Sequence, residues 1–160
     1  MAVVFSAREI VEAAVEKERK RRGFYATVAD LSANNEMKAL FQFLKEEEDR
    51  HVAAFTKIRD RLPRQDFPDE YNEDMQAYMD SVIDDRLYSN IDSKTFVQEA
   101  INAKNVFRLA IGFEKDAILY FREFLPYLST HDQDVISELI EQEKGHIRML
   151  ADMEKQLAEK

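Results

Sequence analysis

Two short motifs carry the chemistry of this sequence, Glu48-x-x-His51 and Glu143-x-x-His146. Each sets a carboxylate and an imidazole one helical turn apart, so on a helix both leave the same face. Of the three histidines only His131 lacks such a partner, and it lies in Ser129–Asp132, which reads as a turn with capping residues. The motifs do not sit on polar faces. One apolar stripe runs Met37, Leu40, Phe41, Leu44, Glu48, His51, Phe55, Ile58, Leu62, and another Ile136, Leu139, Glu143, His146, Leu150, Met153, Leu157. Their three-to-four spacing never slips. Two more stripes hold one acid each: Val11, Val15, Glu18, Tyr25, and Phe107, Ile111, Glu114, Ile118, Phe121, Leu125. All four stripes are apolar at the ends and acidic in the middle. Charged groups at consecutive core positions need partners, and acids gathered with imidazoles are a donor set for metal ions.

The elements that must position these groups follow from the punctuation. Pro63, Pro68 and Pro126 each fall where the apolar periodicity breaks, as proline ends helices. Ser6-Ala-Arg-Glu9 is a capping box opening helix A, which extends to about Asn34 through the turn Ser32–Asn35. Helix B spans about Glu36 to Leu62, helix C from Ser93–Thr95 to Pro126, and helix D from about Gln133 to the end. Asp69–Tyr88 carries apolar residues at helical spacing and is expected to form a shorter connecting helix. The fold is therefore expected to be all-α: one domain over 1–160, made of hairpins 6–62 and 93–159 joined by a crossover over 63–92. A link of that length reaches the far end of a bundle, which makes helices B and C parallel.

Register brings the acids together. In an antiparallel hairpin, residues at one height are equidistant from the turn. Glu18 and Glu48 are equidistant from position 33, and Glu114 and Glu143 from a point between 128 and 129. Both centres fall in turns assigned from other residues. Glu18 should thus face Glu48 and His51, and Glu114 should face Glu143 and His146, each ~22 Å from its turn. The halves also repeat: Glu18 to Glu114 is 96 residues, and Glu48 to Glu143 and His51 to His146 are both 95.

Four buried carboxylates must be protonated, paired with cations or bound to metal. Two divalent ions would balance four negative charges, with two neutral histidines completing the ligand shells. Hard oxygen and imidazole donors suit iron or manganese; calcium would not take the imidazoles.

One Glu from each of two helices and Glu-x-x-His from each of the other two resembles the ligand set of the ferritin-like superfamily. The likeness is greatest to rubrerythrin-related proteins without a rubredoxin domain. It rests on Glu18-x6-Tyr25, Leu40–His51, Phe113–Phe121 and Ile140–His146, and spans about residues 6–155. The resemblance implies a ferritin-like four-helix bundle holding two iron ions, with manganese possible. Glu18 and Glu114 would be terminal ligands, Glu48 and Glu143 would bridge, and His51 and His146 would bind one ion each. Tyr25 would hydrogen-bond a ligand carboxylate or relay a proton or electron. Three departures stand out. Phe121 occupies the position corresponding to Tyr25; Ala117 stands where rubrerythrins proper carry a further carboxylate; and there is no cysteine for their electron-delivering iron domain.

Arg21 and Arg22 lie between Glu18 and Tyr25 and are expected to snorkel to solvent; the other reading pairs a guanidinium with a ligand carboxylate. Gly23, Gly112 and Gly145 fall in the helices near the acids, where either close helix contact or room for a small oxidant would explain them.

Composition excludes other classes. Glycine and proline number three each, too few for the turns of sheets and barrels. The absence of cysteine excludes disulfides, thiolate zinc sites, iron–sulfur clusters and a cysteine nucleophile. With 23 Lys and Arg against 32 Asp and Glu, the net charge of −9 disfavours nucleic acid. Apolar runs reach only five residues, so a soluble cytoplasmic protein without membrane contact is expected. The expected function is a di-iron redox protein, ferroxidase or peroxide-reducing, using O2 or H2O2 and an external electron donor, and working as a homodimer. The alternatives are a subunit of an iron-storage cage and a metal-free structural bundle.

Overall fold

The computed structural model describes residues 7–62 and 90–159. Among them are five α-helices: α1 (Ala7–Leu31), α2 (Asn35–Arg61), α3 (Lys94–Asn102), α4 (Val106–Phe124) and α5 (Thr130–Ala158), with a 3-10 turn at Leu125–Tyr127 between the last two. The capping box at Ser6 and the connecting helix Asp69–Tyr88 fall outside the described residues.

Local chemistry sets the helix ends. Asn34 caps α2, its side chain accepting from the Met37 amide at 2.9 Å. Ser129 caps α5 by accepting from the Asp132 amide at 3.2 Å. This starts α5 at Thr130, three residues before the Gln133 expected, so His131 lies in its first turn and is exposed. Asp132, beside that positive helix end, is buried and paired with Arg61 at the end of α2.

Helix C is not continuous. It divides into α3 and α4 at Lys104, which has a φ of 58°. The Lys104 amide donates to Ile101 O and the Asn105 amide to Ala100 O, both at 3.1 Å. That is a Schellman ending with lysine where glycine is usual. The polar stretch Asn102–Asn105 has no apolar side chain large enough to hold the turn against the core, and Asn102, Ala103, Lys104 and Asn105 are all exposed.

The expected topology holds. α1 and α2 form an antiparallel hairpin, as do α4 and α5. α2 and α4 run parallel: Phe41 meets Phe107 with ring centroids 5.7 Å apart and Phe55 meets Phe121 at 4.9 Å, so the partner is 66 residues further on in both pairs. α1 is antiparallel to α4, with Tyr120 Oη donating to Ile10 O at 2.6 Å near one end and Arg21 Nη1 donating to Phe113 O at 2.9 Å further along. Gly23 serves close contact: a Cβ there would lie 2.8 Å from Asp92 Cβ, in the turn entering α3. At Gly112 and Gly145 a Cβ would meet nothing within 4 Å, so tight packing does not explain them.

The core is two apolar clusters. One gathers Ile10, Val15, Phe55, Ile118, Phe121 and Ile136 with their neighbours; the other gathers Phe24, Val28, Phe41, Leu44, Phe107 and Leu150 with theirs. On every long helix the acids and histidines come between the stretch belonging to one cluster and the stretch belonging to the other. The polar layer is thus sealed by hydrocarbon above and below, which removes water and raises the cost of unbalanced charge.

Candidate metal centre

All six residues singled out by the stripes meet in that layer. Glu18, Glu48, His51, Glu114 and Glu143 are fully buried and His146 is 3% exposed. Helical register does this: α1 and α2 place Glu18 opposite Glu48 and His51, and α4 and α5 place Glu114 opposite Glu143 and His146.

The ligand atoms form two overlapping quartets. Glu18, Glu48, His51 and Glu143 make one; Glu48, Glu114, Glu143 and His146 make the other; in each, one donor atom per residue lies within 4.8 Å of all the rest. Four donors around one ion at bonds of ~2.0–2.2 Å span up to ~4.4 Å, so each quartet is close to metal-binding size. Glu48 and Glu143 belong to both. The imidazoles lie nearly parallel, at 18° with centroids 5.8 Å apart. His51 Nδ1 is 2.6 Å from Glu143 Oε1 and 3.5 Å from Glu48 Oε2, and His146 Nδ1 is 3.4 Å from Glu143 Oε2 and 3.5 Å from Glu114 Oε1.

Neighbouring polar groups fix these side chains. Gln142 Oε1 lies 2.9 Å from His51 Nε2, which leaves Nδ1 turned toward the acids. Tyr25 Oη donates to Glu114 Oε1 at 2.5 Å. Arg21 does not snorkel. It is 2% exposed, donates through Nη2 to Glu18 Oε1 and through Nη1 to Phe113 O, and holds Nε 3.5 Å from Glu48 Oε1. The stripe from Glu18 to Tyr25 needs a residue between them, and Arg21 fills that place because acceptors await it inside the bundle. Arg22 points the other way, with its side chain 40% exposed and paired with Asp49. The zero balance reckoned from four carboxylates and two divalent ions therefore becomes +1 once Arg21 is counted.

The remaining donors test whether a metal fits. Among the described residues, Glu18 Oε2, both carboxylate oxygens of Glu48 and of Glu143, Glu114 Oε2, and Nδ1 of His51 and His146 are buried without a hydrogen-bond partner. Every candidate ligand thus offers at least one atom inside the layer without a well-formed hydrogen bond, even though His51 Nδ1 and Glu143 Oε1 lie 2.6 Å apart. Native domains leave only a few such atoms, usually scattered, and eight converging on two points describe a place for cations. Hard oxygens with two imidazoles fit iron or manganese.

Without metal, protons and Arg21 share the load. Burial pushes the Glu48 carboxyl well above the usual range, reinforced by Glu143 and Glu18 and opposed by Arg21. Burial works against a charged His51, yet its contacts with Glu143, Glu18 and Glu48 prevail and drive its pKa far up. Burial would also raise Glu18, but Arg21 and the neighbouring Glu48 and His51 hold it far below the usual carboxylate range. Glu143 ends lower than usual because His146, His51 and Arg21 outweigh its burial.

No family model and no curated protein sequence matches this chain. Among solved structures it is similar to one from Thermotoga maritima, described as a ferritin-like diiron-carboxylate protein, at 25% sequence identity and a TM-score of 0.67, covering 95% of this chain and 96% of that one. The all-α bundle and this likeness place the chain in the ferritin-like superfamily.

Proposed function

We propose that this chain is a di-iron carboxylate redox protein, related to the rubrerythrins, that oxidises Fe(II) or reduces peroxide in the handling of iron and oxidative stress. The observation that carries it is the pair of buried quartets sharing Glu48 and Glu143. Glu18 and His51 would complete the ligands of one iron, and Glu114 and His146 those of the other; manganese is the alternative occupant. Iron held by these residues would supply the redox chemistry toward O2 or H2O2. The chain's own groups keep the site dry, orient His51 through Gln142, and hold a proton at Tyr25 Oη against Glu114. With no cysteine in the chain, electrons would come from an external donor. The proposal places it in the cytoplasm as a homodimer; no helix among the described residues is long and apolar enough to cross a membrane.

Anaerobic loading of metal-free protein with Fe(II) should give about two irons per chain. Mixing with O2 and, separately, H2O2 then distinguishes the two activities by which oxidant drives the ferric absorbance. A count near zero would favour the metal-free bundle. A solution mass many times a dimer's would favour the storage cage.

A further inference from the structure

We propose that Arg21 makes the two metal positions unequal, so that the Glu114–His146 position fills first and the Glu18–His51 position second and more weakly. The proposal rests on the two-metal reading above and concerns order and affinity, which that reading leaves open.

The two terminal carboxylates are held differently. Each has one oxygen taken by a donor from α1 and one left without a partner inside the layer: Glu18 gives Oε1 to Arg21 and keeps Oε2, and Glu114 gives Oε1 to Tyr25 and keeps Oε2. One donor is a permanent cation and the other a neutral hydroxyl. The guanidinium cannot step aside cheaply. It is 2% exposed, and Nη1 is tied to Phe113 O at 2.9 Å on a neighbouring helix. Nor can it shed its charge, since arginine does not deprotonate in proteins. The position 96 residues on, beside Glu114, is Ala117, which is buried among apolar residues and carries nothing comparable.

Charge then sets the order. Four carboxylates and Arg21 carry −3; one divalent ion brings the layer to −1 and a second to +1. Without Arg21 the second ion would bring it to zero. The last ion therefore enters against a fixed positive charge in a dry layer, where like charges repel strongly. Arg21 touches Glu18 directly, and Glu18 belongs to the first quartet alone; its 3.5 Å approach to Glu48 bears on both quartets, which share that residue. The ion opposed most is the one at Glu18 and His51, which must also share the Glu18 carboxylate with the guanidinium.

The test is titration of the metal-free full chain with Co(II), followed by d–d absorbance and calorimetry. Wild type should take two ions in steps separated by on the order of tenfold or more in affinity. Glu18→Ala should lose the weaker step and keep the tighter one; Glu114→Ala should do the reverse. Arg21→Gln should bring the steps to within about threefold, whereas Arg21→Lys, which keeps the charge, should preserve the gap. Equal steps in wild type, loss of the tighter step in Glu18→Ala, or an unchanged gap in Arg21→Gln would each overturn the proposal while two ions still bind. If Arg21→Gln does not fold, the step lost in Glu18→Ala and in Glu114→Ala decides, because both retain Arg21. A wild type that binds no Co(II) at all overturns the two-metal reading and this proposal with it.

Discussion

The α1–α2 hairpin and the α4–α5 hairpin carry the same acids and histidine in the same register, but their surroundings differ. In the first, Arg21 and Tyr25 follow Glu18 and point polar atoms into the layer. In the second, the corresponding Ala117 and Phe121 are buried in an apolar cluster, Phe121 against Phe55 at 4.9 Å. The difference teaches a division of labour. Glu18 and Glu114 each take a supporting hydrogen bond from α1, one within its own hairpin and one across the bundle. The second hairpin contributes hydrocarbon at those places, and Gln142 to His51.

The largest effect should come from the residues that belong to neither half alone. Glu48 and Glu143 serve both quartets, so Glu48→Ala or Glu143→Ala should remove both metals, whereas Glu18→Ala or Glu114→Ala removes one. Metal counts on gel-filtered protein check this. A bridging variant that keeps two metals with wild-type affinity would break the symmetric picture of the centre.

Next in size is the packing role of the second half. Phe121→Ala should destabilise the metal-free protein by about 3–5 kcal/mol, read by urea unfolding, because it empties a site that is 1% exposed. If the loss were below about 1 kcal/mol, the apolar duplicate would not be the packing element it is taken for here.

A smaller, graded effect follows from pH. Folding raises Glu48 above its ordinary 4.5 and His51 above its ordinary 6.5. Each then holds a proton in the folded chain that the unfolded chain has released, so its stabilisation is full below the unfolded pKa and is lost as pH rises toward the folded one. Glu18 and Glu143 are lowered from 4.5; their contribution is present above that value and lost as pH falls. Metal-free protein should therefore melt highest at pH ~4.5 and lose Tm as pH rises, from about 4.5 on account of Glu48 and further from about 6.5 on account of His51. Metal replaces those protons, so the Tm gained on loading should grow over the same interval. Parallel melts with chelator and with Mn(II) test the sign; a metal-free Tm that climbs above pH ~7 contradicts it.

Tyr25→Phe should cost less, about 1–3 kcal/mol, by leaving Glu114 Oε1 without its donor. The loss should shrink if Glu114 is also changed to Ala, since the hydroxyl and the carboxylate act as a pair. A double-mutant cycle with no coupling would sever Tyr25 from the centre and return it to ordinary packing.

How much of this was legible follows the same division. The six acids and histidines could be found because buried charge leaves a periodic gap in an apolar stripe, and their common height could be found because the turns at 32–34 and after Pro126 fix the register. Three features depend on contacts that no spacing announces. Arg21 has a side chain long enough to reach either water or the core, and Phe113 O and Glu18 decide the matter from inside. Gln142 directly precedes Glu143 as Glu47 precedes Glu48, and only the facing of His51 selects it as the partner. The break at Lys104 interrupts a segment whose apolar residues continue on both sides, and it uses a left-handed lysine where a glycine would have been the signal.

The smallest effect sharpens the contrast within the first hairpin itself. Arg21 and Arg22 are adjacent and each pairs with an acid, but Arg22 and Asp49 are 40% and 42% exposed, whereas Arg21 is buried. A solvated pair gains little because water and salt screen it and two long side chains must be held still. Arg22→Ala should therefore change stability by no more than about 1 kcal/mol, with the difference fading at high salt. It should leave metal count and step affinities unchanged. If Arg22→Ala altered Co(II) binding as much as Arg21→Gln, the decisive quantity would be the net charge of the α1 surface rather than one guanidinium inside the layer. The asymmetry between the two halves would then have to be sought outside the centre.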